Sequence, residues 1–253
     1  MRIFLKTEDE IILLRAASQL ATRALIEVGR HVVPRLALSH LRNKVVNAVM
    51  RTVPTESNSG KEALSSDTEF TFFVNGAHIE PSLEGECMLC EGDWLTVNCW
   101  VCLDGYYSFG AHTFIVGSSQ DDEPLTSTLR DMLRQVVRRA SAGHSIKEMS
   151  RTVYSLHSHD PYVLQKTFGH GVGRNRVENP ILRMNPGVND TVLLKEGMCL
   201  VIALAFKHGR SHFIKPRLMH ESTFHNPFVP FGTTVVVRPG RPEILTSFET
   251  IVK

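Results

Sequence analysis

Long apolar runs are missing from this chain. No stretch approaches the roughly 18 residues that would span a bilayer, which excludes a helical membrane protein. The N-terminal segment MRIFLKTEDE turns polar and acidic within eight residues and has no signal-peptide core, so a cytoplasmic location is expected. A large charge of either sign is missing as well. The formal net charge is +2 over 253 residues, so no general attraction to nucleic acid or membrane is expected. Cysteine is sparse and odd in number: five, in a chain without a secretory leader, read as free thiols. What remains is 42% hydrophobic and 21% charged, the balance of a globular domain.

Apolar spacing marks the elements. Thr7 and Glu10 form a capping box, followed at helical intervals by Ile11, Leu14, Ala17, Ala21, Leu25 and Val28, with Pro34 beyond the end. A second helix is predicted over 38–50. Residues 54–69 are polar and rich in Ser, a loop. Strands are predicted at 70–74, 94–102 and 106–116, the last two joined by the hairpin turn Asp104-Gly105. Then the order repeats. Leu129, Met132, Leu133, Val136 and Val137 share one helix face after Pro124, and Gly143 is a stop. Ser145 and Glu148 make a second capping box. Further strands are predicted near 162–168 and at 198–206, 233–237 and 243–248. Two successive helix-pair-then-strand halves, roughly 1–117 and 118–253, suggest an internal duplication within a single domain. The class is α+β, with helices on one face of a mainly antiparallel sheet.

Several fragments, taken in order, resemble the methionine aminopeptidases. They are the opening helix IFLKTEDEIILLRAASQLA, Gly92-Asp93 leading into LTVNCWVCLDGYYSFGAHTFIVG, FGHGVGR at 168–174, Leu194-Lys195-Glu196-Gly197-Met198, and the closing Glu243-Ile244-Leu245-Thr246. The resemblance implies the pita-bread (creatinase/aminopeptidase) fold, two pseudo-symmetric α/β halves around a central cleft. It also implies a site of two divalent metals held by two Asp, one His and two Glu. Bridging carboxylates suit such a site because anions offset the repulsion between the cations.

Carried over one at a time, those positions hold Asn98, Phe109, His170, Ala203 and Gly232. Only His170 keeps the ligand, and Asn98 offers a neutral carbonyl oxygen. The substrate-contact histidine seven residues after His170 is replaced by Val177, and a further family histidine would fall near Leu64. No cofactor is therefore expected. The chain is identified as a degenerate member, catalytically inactive, that acts by binding a peptide or protein partner. The alternative is a metallo-aminopeptidase with at most a mononuclear site around His170, helped by Asn98 and by His112 or His212.

Other motifs invite sharper readings. The pairs Cys87/Cys90 and Cys99/Cys102 have zinc-like spacing. However, residues three apart on a strand face opposite ways, so they are read as small buried hydrophobes and a turn cysteine. His157 and His159 diverge by about 200° if helical and read as a solvated helix end. The glycines of GHGVGR fit no phosphate-loop spacing. Arg130, Arg134 and Arg138 form a stripe at i, i+4, i+8 that Asp131 is not expected to neutralise. That stripe is the candidate partner surface.

Overall fold

The computed structural model describes residues 2–53, 66–117, 124–157, 163–164, 167–185, 192–207 and 228–247. The α+β class is as expected. Four helices, α1 (Glu8–His31), α2 (Leu38–Thr52), α3 (Pro124–Arg138) and α4 (Ile146–His157), accompany one ten-stranded sheet. Its strands are β1 (Glu69–Val74), β2 (Ala77–Ile79), β3 (Trp94–Leu103), β4 (Tyr106–Ile115), β5 (Val163–Leu164), β6 (Thr167–Gly171), β7 (Glu178–Arg183), β8 (Cys199–Lys207), β9 (Phe228–Val236) and β10 (Glu243–Ile244). The main order is β2-β1-β3-β4-β9-β8-β6-β7, with β10 beside β9 and β5 beside β8. All recorded pairings are antiparallel. Among the described residues no helix is long and apolar enough to cross a membrane.

The local signals act as the sequence predicts. Thr7 Oγ1 accepts from the Glu10 amide at 3.3 Å while Glu10 accepts from the Thr7 amide at 3.0 Å, closing the box that starts α1. Ser145 and Glu148 do the same before α4. At the β3–β4 turn Asp104 and Gly105 both take positive φ, 48° and 77°, the requirement of a two-residue hairpin. The apolar stripes of α1 and α3 then bury against one face of the sheet. Leu20, Leu25, Leu133 and Val136 join Val97, Phe114, Ile202 and Phe231 in the main core.

Strand alternation sends the neighbouring side chains to the other face. The odd positions 97, 99 and 101 on β3 lie in the helix-side core, as do Leu200, Ile202 and Leu204 on β8 and Phe231 and Val235 on β9. Asn98, Trp100, Phe109, Ala111, Val201, Ala203, Gly232 and Thr234 are therefore on the opposite face.

Some elements differ from expectation. The edge strand β2 and the β6–β7 hairpin were not predicted, because their apolar residues are interrupted by Gly and Pro. The strand expected at 243–248 shortens to Glu243–Ile244, since Thr246 turns inward to bond the Phe109 carbonyl at 2.9 Å.

Candidate functional site

The five positions carried over from the family meet on five neighbouring strands: Asn98 on β3, Phe109 on β4, Gly232 on β9, Ala203 on β8 and His170 on β6. Register ties them together. Asn98 pairs with Ala111, Ala111 with Gly232, Gly232 with Ala203, and Val201 with His170. They are scattered over more than a hundred residues of sequence and converge in space.

Apolar matter fills the point of convergence. A Cβ built on Gly232 would stand 2.6 Å from Phe109 Cε1 and 3.1 Å from Ala203 Cβ. Real Cβ atoms do not tolerate the first distance, so the ring occupies the space that a side chain at 232 needs. Phe109 is 7% exposed and belongs to an apolar cluster with Ala111, Val201 and the flanking Trp100 and Ala203. Trp100 lies 4.7 Å from the Phe109 centroid. On its other side it stacks near-parallel to His170, at 6.1 Å and 9°.

Two hydroxyls, those of Thr234 and Thr246, anchor the Phe109 main chain. Thr234 Oγ1 accepts from the Phe109 amide and donates to the Phe109 carbonyl, both at 2.9 Å. Behind it Ser108 and Ser18 share a 2.6 Å hydrogen bond into α1.

His170 is half-buried, and its Nδ1 donates to the Gly171 carbonyl at 2.8 Å. That bond requires the proton on Nδ1, which leaves Nε2 as the unprotonated nitrogen. Burial holds the ring below the ordinary imidazole pKa, partly offset by the bond to Gly171. Asn98 Oδ1 is buried and has no hydrogen-bond partner.

A pair of divalent cations does not fit these residues. The donor set is one imidazole nitrogen and one neutral oxygen, without a bridging anion, and a phenyl ring stands where one of the carboxylates would extend. Among the described residues no three His, Cys, Asp or Glu side chains come together as a metal-holding group.

Two expectations from sequence are corrected. His112 does not join His170. It pairs with Val97, so alternation turns it to the helix side, where its ring packs 4.5 Å from Phe114 and 4.6 Å from Phe231. The arginine stripe on α3 is not a free basic face. Arg130 is 6% exposed, because it sits at the edge of the buried stripe that carries Leu129 and Leu133. Asp131, one turn before Arg134, bonds it at 2.6 Å and neutralises it. Of the three, only Arg138 is exposed on α3. Cys99 and Cys102 do face opposite ways, Cys99 into the helix-side core and Cys102 opposite Tyr107. His212, His159 and the position near Leu64 lie outside the described residues.

Val177 is 57% exposed and stands in the β6–β7 connection. Its neighbour Arg176, to which the sequence reading gave no role, does the work there. Arg176 bonds Glu69 at 2.8 Å and the Asp67 carbonyl, and its guanidinium lies 5.7 Å from the Trp100 ring and 5.8 Å from Tyr107. It straps the second half of the chain across the rim of the first. No local pattern announces such a contact between residues over a hundred apart.

This arrangement, an antiparallel sheet backed by paired helices with the five carried-over positions side by side at its centre, is that of a metallopeptidase-type scaffold. The family model for metallopeptidase family M24 matches residues 12–239. The methionine aminopeptidase of Helicobacter pylori is 28% identical over 217 residues, 83% of this chain and 85% of that protein. That of Borreliella burgdorferi is 25% identical, covering 97% and 98%. The crystal structure of methionine aminopeptidase from Thermotoga maritima superposes with a TM-score of 0.79 at 21% identity, covering 97% of this chain and 100% of that one. The chain belongs to metallopeptidase family M24, as a methionine-aminopeptidase-like member with the pita-bread fold.

Proposed function

We propose that this M24 chain is catalytically inactive and works by binding a peptide or protein partner. The observation that carries the reading is the Phe109 ring lying over Gly232, 2.6 Å from where a side chain there would begin. Four carboxylates are replaced by an amide, a phenyl ring, a methyl group and a hydrogen. Without them nothing attracts two cations or lowers the pKa of a metal-bound water. The hairpin turn, the sheet register and the caps that build the scaffold are all kept. A scaffold kept without its chemistry suits recognition.

The test is hydrolysis of methionyl tripeptides by the purified chain supplied with cobalt or manganese. No release of methionine above background is expected, and measurable turnover abolished by His170→Ala would overturn the proposal.

A second reading has one observation in its favour. Nε2 of His170 and the orphan Oδ1 of Asn98 are both short of a partner on the same face, which is the beginning of a mononuclear site in a metallo-aminopeptidase. Stoichiometric metal in the purified protein, lost in His170→Ala, would favour it over the inactive reading.

A further inference from the structure

Between α1 and α2, away from the five carried-over positions, lies a groove of about 310 Å³ lined by Arg23, Glu27 and His31 from α1 and by Lys44, Asn47 and Arg51 from α2. Glu27 is its only carboxylate, and that group is already shared. It accepts Arg23 at 2.9 Å and Arg30 at 3.0 Å, and His31 Nδ1 lies 3.5 Å away. Lys44 and Arg51 are exposed. Neither forms an ion pair with a described carboxylate, and Arg51 bonds only the Asn47 carbonyl at 3.2 Å. Three permanent cations, Arg23, Lys44 and Arg51, thus line the groove with one acid, and the two on α2 have no carboxylate partner among the described residues.

We propose that this groove binds an acidic segment of a partner protein. Arg23 to His31 and Lys44 to Arg51 each cover about two helical turns, roughly 11–12 Å. That length takes two or three carboxylate side chains spaced about 6 Å apart, as on one face of a helix. Arg51 and Arg23 can hold carboxylates in the forked geometry that guanidinium favours. Asn47 offers an amide for main-chain bonding. A nucleic acid suits the groove less: no Phe, Tyr or Trp lines it for base stacking, and the chain's net charge of +2 supplies no long-range field for a polyanion. The groove also replaces the α3 arginine stripe as the basic surface, since Arg130 is buried and Arg134 is paired.

The experiment is fluorescence anisotropy on the full chain at low salt. The probes are a fluorescein-labelled Glu/Asp-rich octapeptide, its Gln/Asn counterpart, and a labelled single-stranded oligonucleotide. Saturable binding of the acidic peptide below about 1 mM is expected, weakened by added salt as the screening length shrinks. Lys44→Glu with Arg51→Glu should weaken it at least about tenfold, while Arg138→Glu with Arg139→Glu leaves it unchanged. The proposal fails if the acidic peptide does not saturate, if the α2 reversal has no effect, or if the oligonucleotide binds more tightly than the peptide. The readout does not depend on the cleft. Hydrolysis of a methionyl peptide would overturn the inactive reading and leave the groove standing.

Discussion

Phe109 and Gly232 are complementary: the ring of one lies in the space that the other's missing side chain leaves, 2.6 Å from an ideal Cβ. The two positions belong to different halves of the chain and meet where β4 and β9 pair through Ala111 and Gly232. A ring on one strand requires a hydrogen on the other. Gly232→Ala should therefore cost about 1–3 kcal/mol through overpacking. In a Phe109→Ala background most of that cost should vanish. A coupling of at least about 1 kcal/mol in a double-mutant cycle of urea unfolding is the expected result, and additivity would show that the two do not share the space.

Trp100 bridges Phe109 and His170, at 4.7 Å and 6.1 Å, and carries the Arg176 guanidinium on its outer side. Trp100→Ala should destabilise by about 3 kcal/mol from lost burial and ring contacts. Proteolysis should then cut first in the β6–β7 connection around Arg176, whose cation–π seat is gone, and mass spectrometry of the first fragments checks this.

His170 gives the fold a pH response. Burial lowers its folded-state pKa below the unfolded value, so the unfolded chain takes up the proton first as pH falls. The stability contributed by the neutral ring is complete above about pH 6.5 and declines as pH drops toward the folded pKa. The urea midpoint should fall more between pH 7.5 and 5.5 in the parent than in His170→Gln. Equal losses would mean that the ring titrates freely.

Lys6 and Glu178 form a buried pair at 2.5 Å, each side chain 4% exposed, and Glu178 also accepts from the Asn175 amide at 3.2 Å. The pair pins the segment before α1 to the β6–β7 connection, together with the Lys6 amide bonded to the Gly197 carbonyl. Lys6→Met leaves a carboxylate buried without its cation and should cost about 3–5 kcal/mol. The double variant Lys6→Met with Glu178→Leu should recover much of that loss in thermal unfolding.

A chelator should not matter if the chain carries no structural metal. A ligand that binds only the folded state raises stability, and stripping it lowers Tm. Dialysis against EDTA is expected to leave Tm within about 1 °C of its starting value. A larger fall, restored by one divalent ion, would favour the mononuclear reading around His170.

Much of this molecule was legible without coordinates. The two capping boxes, the Asp104-Gly105 turn and the stripes of α1 and α3 are local signals, each set by residues a few positions apart, and each formed as read. The five carried-over positions, Asn98, Phe109, His170, Ala203 and Gly232, were named from ordered motifs along the chain and lie on neighbouring strands. The β6–β7 hairpin escaped because Gly and Pro break its pattern. His112 and the α3 arginines were misjudged for a shared reason. Composition shows that a residue is polar, whereas strand parity and helix phase against a particular core decide which way it faces.

The sequence by itself determined which donor atoms positions 98, 109, 170, 203 and 232 offer, because a donor atom is a property of residue type. Only the tertiary structure decided how those side chains pack together. Phe109, Trp100, Ala203 and Gly232 are unremarkable apart from one another in the chain, and the packing of β4 against β9 turns them into a filled space. The groove between α1 and α2 is of the same kind. Its cations are 21 or more residues apart across the two helices at Arg23 and Lys44, and helix packing alone brings them around a single acid.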